Sequence, residues 1–257
     1  MSNYSKNNYT KTIIILLVII FILGSIFVVK TKFLEYKDKK VQEEVSQVLD
    51  TIKINQEDIT SETTERMLQL KELKKENSDI VGWLEIEGTT INYPVLQGND
   101  NDYYLTHTYK KQYSKNGSIF LDKDYDFSVP SSNLLIYGHN NKNGKMFEEL
   151  INYESEEYYK EHPIIRFTTI EEDSTFEIIS VFKSRVYYKN ETNVFRYYYF
   201  INAENEEEYN YYVEQCKKAS LYNIENFAKY GEQLLTLSTC DYSTTNGRFV
   251  VVAKKMK

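Results

Sequence analysis

The stretch LLTLSTCDYSTTNGRFVVVA, residues 234–253, decides how this chain is to be read. Two runs suited to buried β-strand, residues 234–239 and 249–253, flank the turn formers Asp241, Ser243, Thr244, Thr245, Asn246 and Gly247. That pattern predicts a strand, a surface loop and a return strand. Cys240 ends the first strand and Arg248 opens the second. A thiol at a strand end is held by the sheet yet reachable, and a guanidinium one loop away can stabilise a thiolate or an oxyanion. A core cysteine beside a surface arginine is the competing reading, because free Cys is usually buried and inert. This stretch alone leaves both open.

The chain of 257 residues holds two cysteines and three histidines, with a net charge of −7. Its length gives one sizeable domain with extensions, or two small ones. Two cysteines cannot build a disulfide framework. No zinc-type Cys/His spacing, GxGxxG or Walker loop occurs, so no metal or cofactor is expected. Residues 1–40 carry seven lysines against Glu35 and Asp38, a net +5, which leaves −12 on the other 217 residues. An acidic body argues against nucleic acid as a partner.

Residues 13–29, IIILLVIIFILGSIFVV, form an uncharged run. At 1.5 Å per residue it covers about 26 Å, close to the hydrocarbon thickness of a bilayer. It is long for a signal-peptide core and no small-x-small cleavage pattern follows, so it reads as an uncleaved N-terminal anchor. Lys6 and Lys11 precede it, whereas Lys30, Lys32, Lys37, Lys39 and Lys40 follow it. By the positive-inside rule this count puts the large domain in the cytoplasm.

Val41, Val45, Val48, Leu49 and Ile52 make one helical stripe, and a second helix is expected from Ser61 to Glu76. Either could pack on the domain or serve as a stalk. From Ile80 the body turns β-rich, with strands expected at 80–86, 90–96, 117–121, 133–137, 164–168 and 175–186. Short strands at this spacing suggest a barrel or sandwich. Pro94 marks its strand as an edge or a bend. A short helix is expected around Met146, Phe147 and Leu150. A helical insertion spans about 204–221, with Tyr209, Tyr212, Val213, Cys216 and Ala219 as its apolar stripe. Cys216 is therefore read as packing, which leaves Cys240 as the candidate nucleophile.

A catalytic cysteine needs a base. His162 precedes Pro163 at a strand start in EHPII and suits packing or the surface. His107 lies in the Tyr-rich loop YYLTHTY, where it could line a groove. His139 follows the apolar strand NLLIY and Gly138 at the mouth of a polar loop, the counterpart of Cys240. Position alone leaves its role undecided.

Taken together, TLSTC at residues 236–240, Arg248 beyond it and YGH at residues 137–139 resemble the sortase family of cysteine transpeptidases. VGWLEIEGTTINYPVLQ, NDYYLTHTY, GSIFLD, IYGHN and MFEEL, with the insertion helix before the cysteine strand, make the chain similar to class B sortases over about residues 75–255. The resemblance implies a mainly β fold, an eight-stranded sortase-type β-barrel with N-terminal helices and an insertion between strands six and seven. It implies Cys240 as nucleophile, His139 as general acid and base, and Arg248 as stabiliser of oxyanion and substrate. A backbone N–H near Asp241 would assist Arg248. Ser238, Thr239, Asp241, Tyr242 and Ser243 become candidates for the substrate groove. The organisation expected is a tail at 1–11, an anchor at 12–29, juxtamembrane and N-terminal helices at 30–78 and a catalytic barrel at 79–257.

The partners implied are sorting-motif peptides of secreted surface proteins, an amine of cell-wall peptidoglycan and the membrane. The domain would face outward from a Gram-positive cell, against the lysine count. Polymerisation of pilins by the same chemistry, or a catalytically silent anchored binding module, are the alternatives.

Overall fold

The computed structural model describes residues 2–54, 62–129, 131–141 and 144–257, and the chain divides into two compact units, Met1–Asp50 and Thr51–Lys257. In the first unit one helix, α1 (Ser2–Ile54), runs without a break through the expected tail, anchor and juxtamembrane segment. Its one glycine, Gly24, costs too little to stop a helix of this length. The segment Lys11–Lys37 is long and apolar enough to cross a membrane, and none of its most apolar window is buried within the protein. The hydroxyls of Ser25 and Thr31 donate to the carbonyls of Phe21 and Phe27, each at 2.9 Å, so these polar groups are satisfied inside the helix. The side-chain stripe from Val41 to Ile52 and the helix start at Ser61 lie outside the described residues.

In the second unit, α2 (Glu62–Glu76) packs on the barrel through buried Leu70 and Leu73. The Arg66 guanidinium lies 4.7 Å from the ring centre of Trp83 and within 3.4 Å of the Glu85 carboxylate. Asn77, just past the helix, donates to Tyr104 Oη and to the Tyr109 carbonyl, tying α2 to the loop that follows the second strand.

Eight strands close into one barrel: β1 (Ile80–Glu85), β2 (Asn92–Leu96), β3 (Ile119–Leu121), β4 (Asn133–Tyr137), β5 (Ile164–Thr168), β6 (Asp173–Arg185), β7 (Leu234–Asp241) and β8 (Gly247–Lys255). Their order around the barrel is β1-β2-β3-β4-β7-β8-β6-β5. The β2/β3 and β4/β7 pairs are parallel and the others antiparallel. Pro94 is tolerated inside a closed barrel because β3 pairs only with Val95 and Leu96, so the β3 side of Pro94 is unpaired.

Leu235, Leu237, Phe249, Val251 and Ala253 point into the barrel with Leu84, Val95, Ile136 and Phe167. Leu234, Val250 and Val252 point outward, where a second core forms under Tyr197, Phe200, Tyr209, Tyr212 and Cys216. The insertion between β6 and β7 supplies that cover, chiefly by α4 (Glu206–Ala219). Burial on both faces is why residues 249–253 of β8 read as a continuous apolar run, whereas on β7 the outward Thr236 and Ser238 meet the Tyr212 and Tyr197 hydroxyls of the cover. Asn205 caps α4 by accepting from the Glu208 N–H. Ala219, expected on the buried stripe, is exposed at the frayed last turn. The short helix expected near Met146 is a tight 3-10 helix, Glu149–Glu154, followed by α3 (Glu156–Glu161). The 3-10 helix starts after Met146 and Phe147, which were expected on it and lie in the preceding turn, and Phe147 and Leu150 are both buried.

Candidate active site

The strand carrying the thiol ends one residue later than its hydrophobicity suggested. Asp241 still pairs with Gly247, and the loop is the five residues from Tyr242 to Asn246. Cys240 is directly opposite Arg248 in that ladder. Directly opposed residues share a face, so thiol and guanidinium emerge side by side on the outer surface of the barrel. The Cys240 carbonyl is turned toward β4, where it accepts from Asn140 Nδ2 at 3.0 Å. Cys240 and Arg248 therefore form a non-hydrogen-bonded pair, the kind in which side chains approach more closely.

His139 arrives from the other flank of β7. The parallel register Leu135↔Thr236, Ile136↔Leu237 and Tyr137↔Ser238 is extended by a bond from Gly138 N to Ser238 O at 3.2 Å. Two residues past Tyr137↔Ser238 the same register sets His139 beside Cys240 on the same face. Gly138 is required before it: a Cβ there would lie 2.4 Å from Ile119 Cδ1 and 2.7 Å from the Phe147 ring. His139, Cys240 and Arg248 thus form one row across three adjacent strands, and all three are half-buried.

The imidazole is oriented from outside the row. His139 Nε2 lies 2.8 Å from the Leu105 carbonyl. A carbonyl only accepts, so Nε2 carries hydrogen and Nδ1 is the atom available to exchange a proton. Leu105 ends the one-turn 3-10 helix Tyr103–Leu105. His107, in the same loop, is occupied locally: it stacks on Tyr103 at 4.0 Å and its Nδ1 donates to the Tyr103 carbonyl. His162 packs against Tyr158 and its Nδ1 donates to the Glu87 carbonyl, in the packing role expected of it.

Arg248 Nη1 donates to the Gly247 carbonyl at 2.9 Å and lies 3.4 Å from the Asn246 carbonyl. Burial pushes the phenols of Tyr137 and Tyr197 well up, while the Arg248 charge opposes the rise in both. The guanidinium is therefore within electrostatic reach of two buried hydroxyls. Tyr137 donates to Asp122 Oδ2 at 2.9 Å, and the Tyr197 hydroxyl lies 2.7 Å from Ser238 Oγ. Burial also raises the Tyr242 phenol, with Cys240 adding to the rise and Arg248 opposing it, so this exposed ring borders both groups.

The five groove candidates separate. Ser238 and Thr239 are buried beneath the row, Ser238 against Tyr197 and Thr239 Oγ1 donating to the Gly138 carbonyl at 2.7 Å. Strand alternation turns Asp241 away from Cys240. Its carboxylate accepts from Ser243 Oγ and Ser243 N, closing the loop. Those three support the site rather than present groups to a groove. Tyr242 and Ser243 are exposed at its rim. Sequence reasoning missed Leu105, Asn140 and Tyr197. A backbone carbonyl has no sequence signature, whereas Asn140, beside His139 in IYGHN, was within view. Cys216 is 1% exposed, and burial pushes its thiol well up.

A family model described as the sortase domain matches residues 84–256. The chain is 34% identical over 191 residues to Sortase B of Staphylococcus aureus (strain NCTC 8325 / PS 47), covering 74% of this chain and 75% of that protein. It is 35% identical over 190 residues to Sortase B of Listeria monocytogenes serovar 1/2a (strain ATCC BAA-679 / EGD-e), covering 72% and 73%. The crystal structure of sortase B from B. anthracis in complex with AAEK1 superposes with a TM-score of 0.72 at 32% identity, covering 88% of this chain and 99% of that one. The closed barrel, the insertion between β6 and β7 and these matches agree. The chain belongs to the sortase family of cysteine transpeptidases, with relatives that are sortases B.

Proposed function

We propose that this protein cleaves a sorting motif of secreted proteins after a Thr, retains the protein as a thioester on Cys240 and transfers it to an amine of cell-wall peptide. The observation that carries this reading is the row His139, Cys240, Arg248 on one face of β4, β7 and β8. Cys240 Sγ attacks the Thr carbonyl and its proton passes to His139 Nδ1. Arg248 stabilises the tetrahedral oxyanion. The carbon–nitrogen bond breaks as His139 Nδ1 returns the proton to the leaving amine. The acceptor amine then attacks the thioester and gives a proton to Nδ1. The new amide forms, and the Cys240 sulfur leaves and is reprotonated. One amide replaces another, so the sequence balances without an external energy source.

The protein is a single-pass membrane protein with its barrel outside the cytoplasm. The orientation follows the family and runs against the lysine count around the span. In this reading substrate and enzyme are confined to one surface, so modest affinity for a short peptide suffices.

The test incubates the full chain in detergent with a panel of Thr-containing sorting-motif peptides. Acceptors are wall-peptide amines and, separately, a protein lysine, and products are identified by mass spectrometry. Transfer to wall peptide with a peptide adduct on Cys240 is expected, and Cys240→Ala should abolish both. Turnover retained in Cys240→Ala would sink the proposal, and ladders formed only through protein lysines would redirect it to polymerisation.

A further inference from the structure

The junction between β4 and β7 is made in an unusual way around the reacting pair. In a parallel ladder the N–H groups of alternate residues on one strand meet successive carbonyls of its neighbour. Gly138 N donates to Ser238 O, and the next β7 carbonyl on that side belongs to Cys240. The backbone donor due there is Asn140 N–H. Its side chain takes the place instead, Nδ2 donating to Cys240 O at 3.0 Å, while the backbone turns aside to bridge Met146. One residue earlier, Thr239 Oγ1 donates to the Gly138 carbonyl at 2.7 Å. The Asn140 carbonyl in turn accepts from Tyr242 Oη at 2.6 Å. The residues flanking His139 are therefore tied to Thr239, Cys240 and Tyr242 by three side-chain bonds that stand in for a ladder.

This arrangement does more than finish a strand. Asn140 is 7% exposed, so the bond to the Cys240 carbonyl is made in a largely buried setting. Otherwise His139 is bonded, among the described residues, through Nε2 to Leu105 O and through its carbonyl to Phe147 N–H. Neither of those contacts refers to β7. On the N-terminal side of His139 the Gly138 bonds to Ser238 and Thr239 hold β7, and on its C-terminal side the Asn140 bonds register the histidine loop against the end of the strand carrying the thiol.

We propose that Asn140 is a positioning residue for acyl transfer, which together with the Tyr242 hydroxyl splices the His139 loop onto the end of β7 and sets the approach of imidazole to thiol. The proposal rests on the reading of Cys240 and His139 as the reacting pair. Proton transfer needs hydrogen-bond distance between the two, and a misplacement of about 1 Å can cost about a hundredfold in rate.

The test measures kcat and KM of the full chain in detergent with a fluorogenic peptide bearing Thr at the scissile position, normalised to titrated Cys240 thiol. Asn140→Ala is expected to lower kcat by about 10- to 100-fold with KM within about twofold. Tyr242→Phe, which deletes one hydroxyl from an exposed ring, should lower kcat by a smaller factor in the same pattern. If Asn140→Ala does not fold, Tyr242→Phe decides. An unchanged kcat, or a raised KM at unchanged kcat, which would make these residues substrate contacts, overturns the proposal. Cys240→Ala is run in parallel. If it is inactive while Asn140→Ala turns over normally, only the splice fails, and if it is active the functional reading fails first.

Discussion

Arg248 is held at one corner. Nη1 is spent on the carbonyls of Gly247 and Asn246, and the remaining guanidinium N–H groups make no bond among the described residues. In the proposed reaction they would meet the oxyanion formed at the neighbouring Cys240. Lysine at this position keeps the charge but loses the fixed fork of donors. Arg248→Lys should therefore lower kcat by about 10²- to 10³-fold, the usual scale for an oxyanion donor, with a smaller change in KM. Single-turnover kinetics on a cleavable peptide would check it. The two thiols offer a second contrast at this scale. Cys216 lies wholly inside the outer core and its thiol is pushed up by burial, whereas Cys240 is partly open. A small alkylating reagent should modify Cys240 alone in the native protein and reach Cys216 only on unfolding, which peptide mapping would read directly.

At the scale of elements, the strands were legible because each carries one periodicity and clear turn residues. Strands β4 and β5 begin and end where expected, β7 and β8 each gain one residue beside the loop, and β8 also runs on past Ala253 to Lys255. Those additions, Asp241 and Gly247, pair because Gly247 lets the backbones close: a Cβ there would lie 2.3 Å from the Asp241 carbonyl. No hydrophobicity pattern records that fit. The two-faced burial of β7 makes its interior residues costly to trim. Leu237→Ala should destabilise the barrel by about 2–5 kcal/mol, seen as a lower urea midpoint at unchanged slope. The short helix expected on Met146, Phe147 and Leu150 begins only at Glu149 and is a 3-10 helix, so Met146 and Phe147 lie in the turn before it, a shift that periodicity over six residues is too short to register.

For the whole molecule, acid is the predicted weakness. Burial alone would raise the carboxyls of Asp79, Glu149 and Asp241, but hydrogen bonds from Tyr104, Thr90 and Ser243 outweigh it and hold each below the ordinary range. A carboxyl depressed in the folded state stabilises fully above its unfolded value of about 4, and that contribution is lost as pH falls through the folded value. Tm should be flat from about pH 7 to 5 and drop below about 4, and Glu149→Gln should flatten the acid limb in calorimetry. The anchor, the barrel strands, the insertion and the candidates Cys240, His139 and Arg248 were legible in the chain alone. Those follow from local hydrophobic patterns and from motifs whose residues are contiguous in the chain. It took the folded chain to show that Leu105 presents its carbonyl to His139, that Ser238 and Thr239 lie beneath the site, and that Asn140 bridges to Cys240. These contacts join residues 34 to 101 positions apart through backbone atoms common to all amino acids, so no local pattern encodes them.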